Sequence, residues 1–194
     1  LAELEGNVKS ETLVLSIVAG AKISYISEGL NHSSIVRSMP NSPSQIGKGI
    51  TVWTAARDIT TSQIRQSETL LSALGDHVRV SDEEDLDMAT ALSGSGPAYI
   101  FLFMEALVDS GVHLGLSRHL AERLVLQTMK GSVEYVLHSP KHMACLRNQV
   151  TSPGGTSAEA LYFLEKAGFR TAISRAIWAA YQRSKELGQK LKVG

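Results

Sequence analysis

Hydrophobic and polar positions change their pattern near residue 81, and this change divides the chain into two regions. In residues 11–80, short apolar and β-branched runs alternate with helical spacings, which is typical of a mostly parallel sheet with crossover helices. The pattern predicts strands over 13–18, 34–38, 49–54 and 77–80. It also predicts helices over 23–30 and 60–75, the second capped by Thr60 or Thr61.

After residue 81 no strand pattern follows, and the apolar positions recur at helical spacing. Helices are predicted over 82–92, 97–110, 118–138, 142–150, 156–166 and 169–189. The fold class is therefore an α/β region followed by an all-α region. We expect two domains, 1–81 and 82–194, divided where the pattern changes.

The helix over 118–138 carries apolar side chains on more than one face. Leu120, Leu124, Met129 and Val136 do not share a single stripe. A helix with one solvated side carries its apolar residues on the opposite face alone. We therefore expect another copy of the chain to cover part of this helix. The pattern predicts a homo-oligomer.

Composition narrows the class of protein. Of 194 residues, 43% are hydrophobic and 20% charged, and 19 basic residues balance 19 acidic ones. This balance disfavours a nucleic-acid partner. The longest uninterrupted apolar runs are far shorter than the roughly 20 residues that span a bilayer, so no membrane partner is expected. Cys145 is the only cysteine, which excludes an intrachain disulfide and fits a reducing, cytoplasmic location.

Two glycine-containing segments are candidates for ligand contact. The segment TSPGGTS at 151–157 forms a turn before a helix, which is either a plain capping turn or a site for a carboxylate or phosphate. The segment SGSGPAY at 93–99 is either a tight junction between helices or a place where a ligand approaches the backbone. It lacks the third glycine and the preceding strand of a dinucleotide-binding loop.

Other candidate chemistry is weaker. Strands that end at residues 18–20 and 39–43 place small and polar residues where open α/β sheets bind ligands, although ordinary turns have the same composition. No metal site is predicted, because Pro140 prevents His138 and His142 from sharing a helix face. We expect the acidic run over 82–87 to be a solvated helix start.

Together, the segments resemble one known family. The chain is similar to pyrroline-5-carboxylate reductases in the order and spacing of five segments: 16–20, 36–49, 91–128, 150–170 and 183–187. The resemblance implies the C-terminal part of a Rossmann-type domain that binds NADPH or NADH, followed by a helical dimerisation domain. It also implies that each active site lies between one subunit's cofactor domain and its partner's helical domain.

The resemblance further implies the reaction and its residues. Members reduce L-1-pyrroline-5-carboxylate to L-proline, the last step of proline biosynthesis, by hydride transfer to the imine carbon. The residues implied for cofactor binding are Ala19, Gly20, Met39, Pro40 and Asn41. Those implied for substrate binding are Val150, Ser152, Gly154, Gly155, Thr156 and Ser157. Ser157 is the implied catalytic residue, because its hydroxyl stands where the family usually has a threonine that bonds the ring nitrogen.

The family's glycine-rich phosphate loop precedes the position that matches Leu1. We therefore expect the chain to be an N-terminally truncated reductase that binds the cofactor weakly and is inactive alone. Two alternatives stay open. One is a related imine or β-hydroxyacid reductase with the same two-domain plan, and the other is a non-enzymatic dimerisation module.

Overall fold

The computed structural model describes residue 1 and residues 3–190, without the side chain of residue 190. The strands are β1 Val14–Ser16, β2 Ile35–Met39, β3 Gly49–Ala55 and β4 Gly75–Arg79. The helices are α1 Ile23–Leu30, α2 Thr61–Ser72, α3 Asp85–Ala89, α4 Gly96–His113, α5 Arg118–Leu137, α6 Met143–Gln149, α7 Thr156–Lys166 and α8 Phe169–Lys190.

Backbone contacts group the chain into two compact units. The sheet unit comprises Leu1–Pro97 and the chain from Ala176 onward, and the helical unit comprises Ala98–Arg175. This grouping places α3 and the C-terminal part of α8 with the sheet, unlike the predicted division into 1–81 and 82–194. The domain boundary near residue 81 stays a prediction.

The sheet has the strand order β1-β2-β3-β4, and it is mixed. Strands β1 and β2 pair in parallel, as do β3 and β4, while β2 and β3 are antiparallel. Between β2 and β3 the chain makes only the short 3₁₀ turn Ser42–Ile46. A parallel pair needs a crossover of a dozen or more residues, so this connection forces the antiparallel direction.

The sheet unit buries a core on both faces of the sheet. Ile26, Leu30 and Ile35 pack between α1 and β2, and Trp53 and Leu71 pack between β3 and α2. The predicted start of α2 is confirmed. There the Thr60 hydroxyl accepts the Gln63 N–H at 3.2 Å and the Gln63 side chain accepts the Thr60 N–H at 3.0 Å. The predicted bounds of α1 are confirmed as well.

The helical unit is described throughout its length and buries little apolar surface of its own. Within 98–175, the buried apolar residues are Val108, Ala121 and Leu146. Ala121 packs where a Cβ on Gly111 would lie, so α4 and α5 approach closely at this point. The predicted cap of α5 is confirmed, because the Ser117 hydroxyl accepts the Leu120 N–H at 3.3 Å.

The junction between α3 and α4 differs from the prediction. The segment Thr90–Gly94 forms a π turn, in which the Ser95 N–H donates to the Thr90 carbonyl at 2.8 Å, so no new helix has to begin at Pro97. The result is one helical run, Asp85–His113, of 29 residues. A single extra residue per turn keeps the helix continuous where a separate capped helix was expected.

By length and composition, this run is apolar enough to cross a membrane. The length of uninterrupted apolar stretches does not indicate this helix, because polar residues such as Ser95 and Glu105 interrupt it. One such helix is weak evidence for a membrane span, since an apolar helix of a soluble protein passes the same test.

Candidate functional site

The carboxyl ends of β1 and β2 form one candidate site, within the sheet unit. The two strands are parallel, so both end at the same edge of the sheet. The Ser38 hydroxyl donates to the Ser16 carbonyl at 3.1 Å and ties the two ends together. The residues that follow, 17–20 and 39–41, therefore lie side by side, and Ile17 and Val18 expose more than half of their surface.

A tight turn follows β1. The Ala21 N–H donates to the Val18 carbonyl at 3.3 Å, and Gly20 has a φ of +77°, in the left-handed region. A Cβ on Gly20 would also lie 2.5 Å from the backbone nitrogen of Gly188 in α8. Both the positive φ and this close approach require glycine at position 20. Ala19, just before Gly20, is half-buried.

The end of β2 packs against the π turn. A Cβ on Gly94 would lie 3.1 Å from the Met39 Cε, and the Asn41 amide donates to the Ser93 carbonyl at 3.2 Å. The Asn41 side-chain oxygen Oδ1 accepts the Ile50 N–H at 3.0 Å. Both polar ends of Asn41 are thus used within the sheet unit. Its direct role is to hold the strand end, and Met39 and Pro40 stay half-buried at the edge.

A buried ion pair network lies beside this edge. Arg37 on β2 donates from Nη1 to Glu83 Oε1 at 3.1 Å and from Nη2 to Asp87 Oδ1 at 3.0 Å. The Arg37 side chain is 2% exposed. The expectation of a solvated acidic helix start is therefore wrong for Glu83 and Asp87, because the buried guanidinium requires carboxylate partners.

A pocket of about 220 Å³ opens next to the turn. Its lining includes Gly20 and Gly188, together with Lys22, Lys185, Glu84 and Asp87. The two lysines and the two carboxylates carry opposite charges, so the net charge of these four side chains is zero. The pocket opens the turn to solvent and small molecules. Its balanced charges favour neither a cation nor an anion.

The turn before α7 is a separate candidate site, within the helical unit. Gly154 has a φ of +69°, and the Gly155 N–H donates to the Ser152 carbonyl at 3.0 Å. Gly155 is the N-cap of α7, and no side chain caps the helix. The Thr156 N–H and Ser157 N–H, at the first two helical positions, therefore point out of the helix toward any acceptor at this end. Gly155 is one of the residues implied for substrate binding, but its N–H already donates to the Ser152 carbonyl.

Ser157 is half-buried at the second position of α7. A serine that caps a helix lies one residue before the first helical position, where Gly155 stands. Ser157 is therefore not the cap, and its hydroxyl is free of that role. Val150 ends α6 and exposes 65% of its surface, and Ser152, Gly154 and Thr156 are exposed along the same loop.

The structure thus gathers the predicted residues in two places. The five cofactor residues lie at one edge of the sheet unit, and the six substrate residues lie in one loop of the helical unit. Two further residues at the sheet edge, Arg37 and Gly188, are not among those implied by the family resemblance. An arginine inside a buried strand and a lone glycine inside a helix are the signals that could have drawn attention to them.

Comparison with known proteins gives consistent matches. A family described as "Pyrroline-5-carboxylate reductase dimerisation" matches residues 83–187. The pyrroline-5-carboxylate reductase of Synechocystis sp. is 43% identical over 190 residues, which cover 98% of this chain and 70% of that protein. The enzyme of Pseudomonas aeruginosa is 41% identical over 185 residues, 95% of this chain and 68% of that protein.

Solved structures agree with the sequence matches. The crystal structure of Plasmodium falciparum pyrroline carboxylate reductase with NADP bound superposes with a TM-score of 0.88 at 40% identity, covering 92% of this chain and 72% of that one. The structure of a pyrroline-5-carboxylate reductase from Coxiella burnetii gives a TM-score of 0.84 at 41% identity, covering 92% and 67%. At this identity, the likeness extends beyond the fold.

Proposed function

The chain belongs to the pyrroline-5-carboxylate reductase family, and from this membership we propose that it reduces the ring C=N bond of L-1-pyrroline-5-carboxylate to give L-proline. NADPH or NADH is the reductant. The observation that carries the proposal is 43% identity across 98% of the chain, joined to a TM-score of 0.88 with a relative that holds NADP.

The sheet edge fits a nicotinamide ring. Ile17 and Val18 expose 59% and 55% of their surface at the carboxyl end of β1, beside the half-buried Met39 and Pro40. A flat and largely apolar ring buries such side chains favourably. When bound, the nicotinamide supplies the hydride. The residues that would hold the ring are Ala19, Gly20, Met39, Pro40 and Asn41, at the ends of β1 and β2.

The loop before α7 fits the substrate's carboxylate. An anion at this helix end gains hydrogen bonds from the Thr156 and Ser157 N–H groups and the favourable end of the helix dipole. With the carboxylate held there, the Ser157 hydroxyl would donate a hydrogen bond to the ring nitrogen and so orient the C=N bond. The proton that the nitrogen gains as it becomes an amine would pass through this hydroxyl, which is restored by a proton from solvent.

The chain is a homo-oligomer, and we propose that its unit is an intertwined homodimer formed through the helical unit. Exposed apolar residues on α5 support this assembly, among them Leu124, Leu126, Val133 and Leu137. The expected interface exceeds the roughly 1,600 Å² of a standard complex. A cytoplasmic location accords with the free thiol of Cys145, which is exposed.

The test uses the protein purified as its gene encodes it. L-1-pyrroline-5-carboxylate and NADPH or NADH are supplied, and loss of the reduced nicotinamide absorbance is followed together with the appearance of L-proline. Stoichiometric formation of proline supports the proposal. Oxidation of the reduced cofactor by β-oxo acids, which would become β-hydroxyacids, or by other cyclic imines, but not by this substrate, would assign a related reductase. A dimer inert toward every substrate would instead be a dimerisation module.

A further inference from the structure

The two carboxylates that bind Arg37 each accept a second hydrogen bond, one from the segment after β1 and one from α8. Glu83 Oε1 accepts the Ile23 N–H at 2.7 Å, at the first residue of α1. Lys22, the N-cap of α1, provides no side-chain hydrogen bond, so Glu83 takes the place of a local cap. One end of the segment that follows Gly20 is therefore fixed by a carboxylate that Arg37 holds in place.

The other carboxylate reaches the last helix. Asp87 Oδ1 accepts the Ser184 hydroxyl at 3.0 Å, and both residues are buried. Ser184 and Gly188 are four residues apart on α8 and so lie on the same helix face. From there the Gly188 backbone approaches Gly20 so closely that a Cβ on Gly188 would lie 2.6 Å from the Gly20 carbonyl oxygen.

These contacts form a closed ring. It runs from Arg37 through Glu83 to Ile23, back along the chain to Gly20, across to Gly188, and through Ser184 and Asp87 to Arg37. We call the five residues outside the turn, Arg37, Glu83, Asp87, Ser184 and Gly188, the loop clamp. The clamp contacts the turn Val18–Ala21 at Gly20 and fixes the chain just after the turn at Ile23, and Arg37 also stands two residues before Met39 on β2.

We propose that the loop clamp positions the turn Val18–Ala21 for the nicotinamide cofactor, with Gly188 as its point of contact and Arg37 as its centre. The inference rests on the proposed function, because it assigns the cofactor to this edge. A turn displaced by a fraction of an ångström changes how closely the ring approaches Ala19, and misplacement near reacting atoms weakens binding and transfer together. The clamp residues act through the turn and so are positioning residues.

Two variants of α8 separate positioning from simple stability. Gly188→Ala adds one methyl group directed at the Gly20 carbonyl, and the left-handed Gly20 has to shift to admit it. Ser184→Ala removes the hydroxyl that Asp87 accepts and adds no atom, so it keeps the test open if Gly188→Ala does not fold. The matched control is Glu186→Ala, which removes only a surface ion pair with Arg183.

Three quantities are measured for each variant: the melting temperature, the KM values for both substrates, and the Kd for NADPH from its fluorescence. Gly188→Ala is expected to raise the KM and Kd for the cofactor about 10- to 100-fold. Ser184→Ala is expected to raise them about two- to fivefold. The KM for pyrroline-5-carboxylate and the behaviour of Glu186→Ala stay close to those of the parent protein.

The outcomes distinguish the inference from the function on which it rests. A parent protein that binds NADPH but does not reduce pyrroline-5-carboxylate contradicts the proposed function, and the Kd values of the variants still decide about the clamp. If folded Ser184→Ala and Gly188→Ala keep the parent's cofactor KM and Kd, the clamp has no positioning role. A lower melting temperature with both KM values unchanged would show that these contacts stabilise the fold and do not position the cofactor.

Discussion

The sheet unit and the helical unit obtain their stability in different ways. In the sheet unit, Ile35, Val36 and Trp53 are 0% exposed, and the Arg37 network is buried beside them. The helical unit, by contrast, leaves Phe101, Leu126 and Phe163 each 58% exposed. The sheet unit therefore contains its own core, while the helical unit has apolar faces that need a second copy of the chain.

The candidate sites in the two units are also built differently. At the sheet edge, side-chain contacts such as those of Asn41 fix each strand end. At the helical loop, backbone geometry at Gly154 and Gly155 leaves N–H groups available. Substitutions in the two units should consequently differ in whether their effects depend on protein concentration.

The largest expected effect lies in the core of the sheet unit. Trp53→Ala removes a fully buried ring whose Nε1–H donates to His77 Nδ1 at 3.3 Å and whose face lies 5.2 Å from the Arg79 guanidinium. We expect a loss of about 3–5 kcal/mol in the free energy of unfolding. Urea unfolding measures it, and the loss should be the same at every protein concentration. Leu70→Ala, on the exposed side of α2, serves as the control and should cost about 0.5 kcal/mol or less.

A smaller but concentration-dependent effect is expected in the helical unit. Leu126→Asp combined with Val133→Asp places two charges on one face of α5, seven residues apart. Self-association should weaken at least about 30-fold, which corresponds to a loss of about 2 kcal/mol. Sedimentation equilibrium measures it, with Lys130→Ala as an exposed control on the same helix. An unchanged association constant would show that this face of α5 is not an interface.

Ser157 gives the sharpest test of the candidate site in the helical unit. Because Gly155 is the cap of α7, Ser157→Ala should leave the melting temperature unchanged while kcat/KM falls on the order of 10- to 1,000-fold. Ser157→Thr keeps the hydroxyl and should retain activity. Steady-state kinetics and melting of the same samples decide, and a stable variant with full kcat/KM would remove Ser157 from the mechanism.

The smallest effect is expected at a surface cap of the sheet unit. Thr60→Ala breaks the reciprocal hydrogen bonds with Gln63 and should cost about 1 kcal/mol. Urea unfolding measures this loss, and neither association nor kcat/KM should change. A change in association would show that α2 takes part in the interface and would weaken the contrast between the units.

Local chemistry made much of this fold predictable. The caps at Thr60 and Ser117, the helix over 23–30 and the helix start at Thr156 follow from residues within four positions of one another. The antiparallel pairing of β2 and β3 was harder to predict, because it depends on how tightly the chain turns between residues 42 and 46.

Long-range contacts could not be predicted from local patterns. Gly20 and Gly188 are far apart in the chain, and nothing near either residue indicates that their backbones meet. Similarly, the acidic residues after residue 81 have the composition of a solvated helix start, and only the fold brings Arg37 to Glu83 and Asp87. The candidate site residues are implied by the family resemblance, and their binding and catalytic roles stay predictions.

The central claim is that the helical unit obtains its hydrophobic core from a second copy of the chain, whereas the sheet unit does not. Hydrogen exchange read by mass spectrometry, at protein concentrations above and below the dissociation constant of the oligomer, tests it most directly. Amides of α5, Arg118–Leu137, should lose protection on dilution, while those of β2 and β3 keep it. If α5 stays fully protected in a diluted monomer, the helical unit has a sufficient core of its own and the claim is wrong.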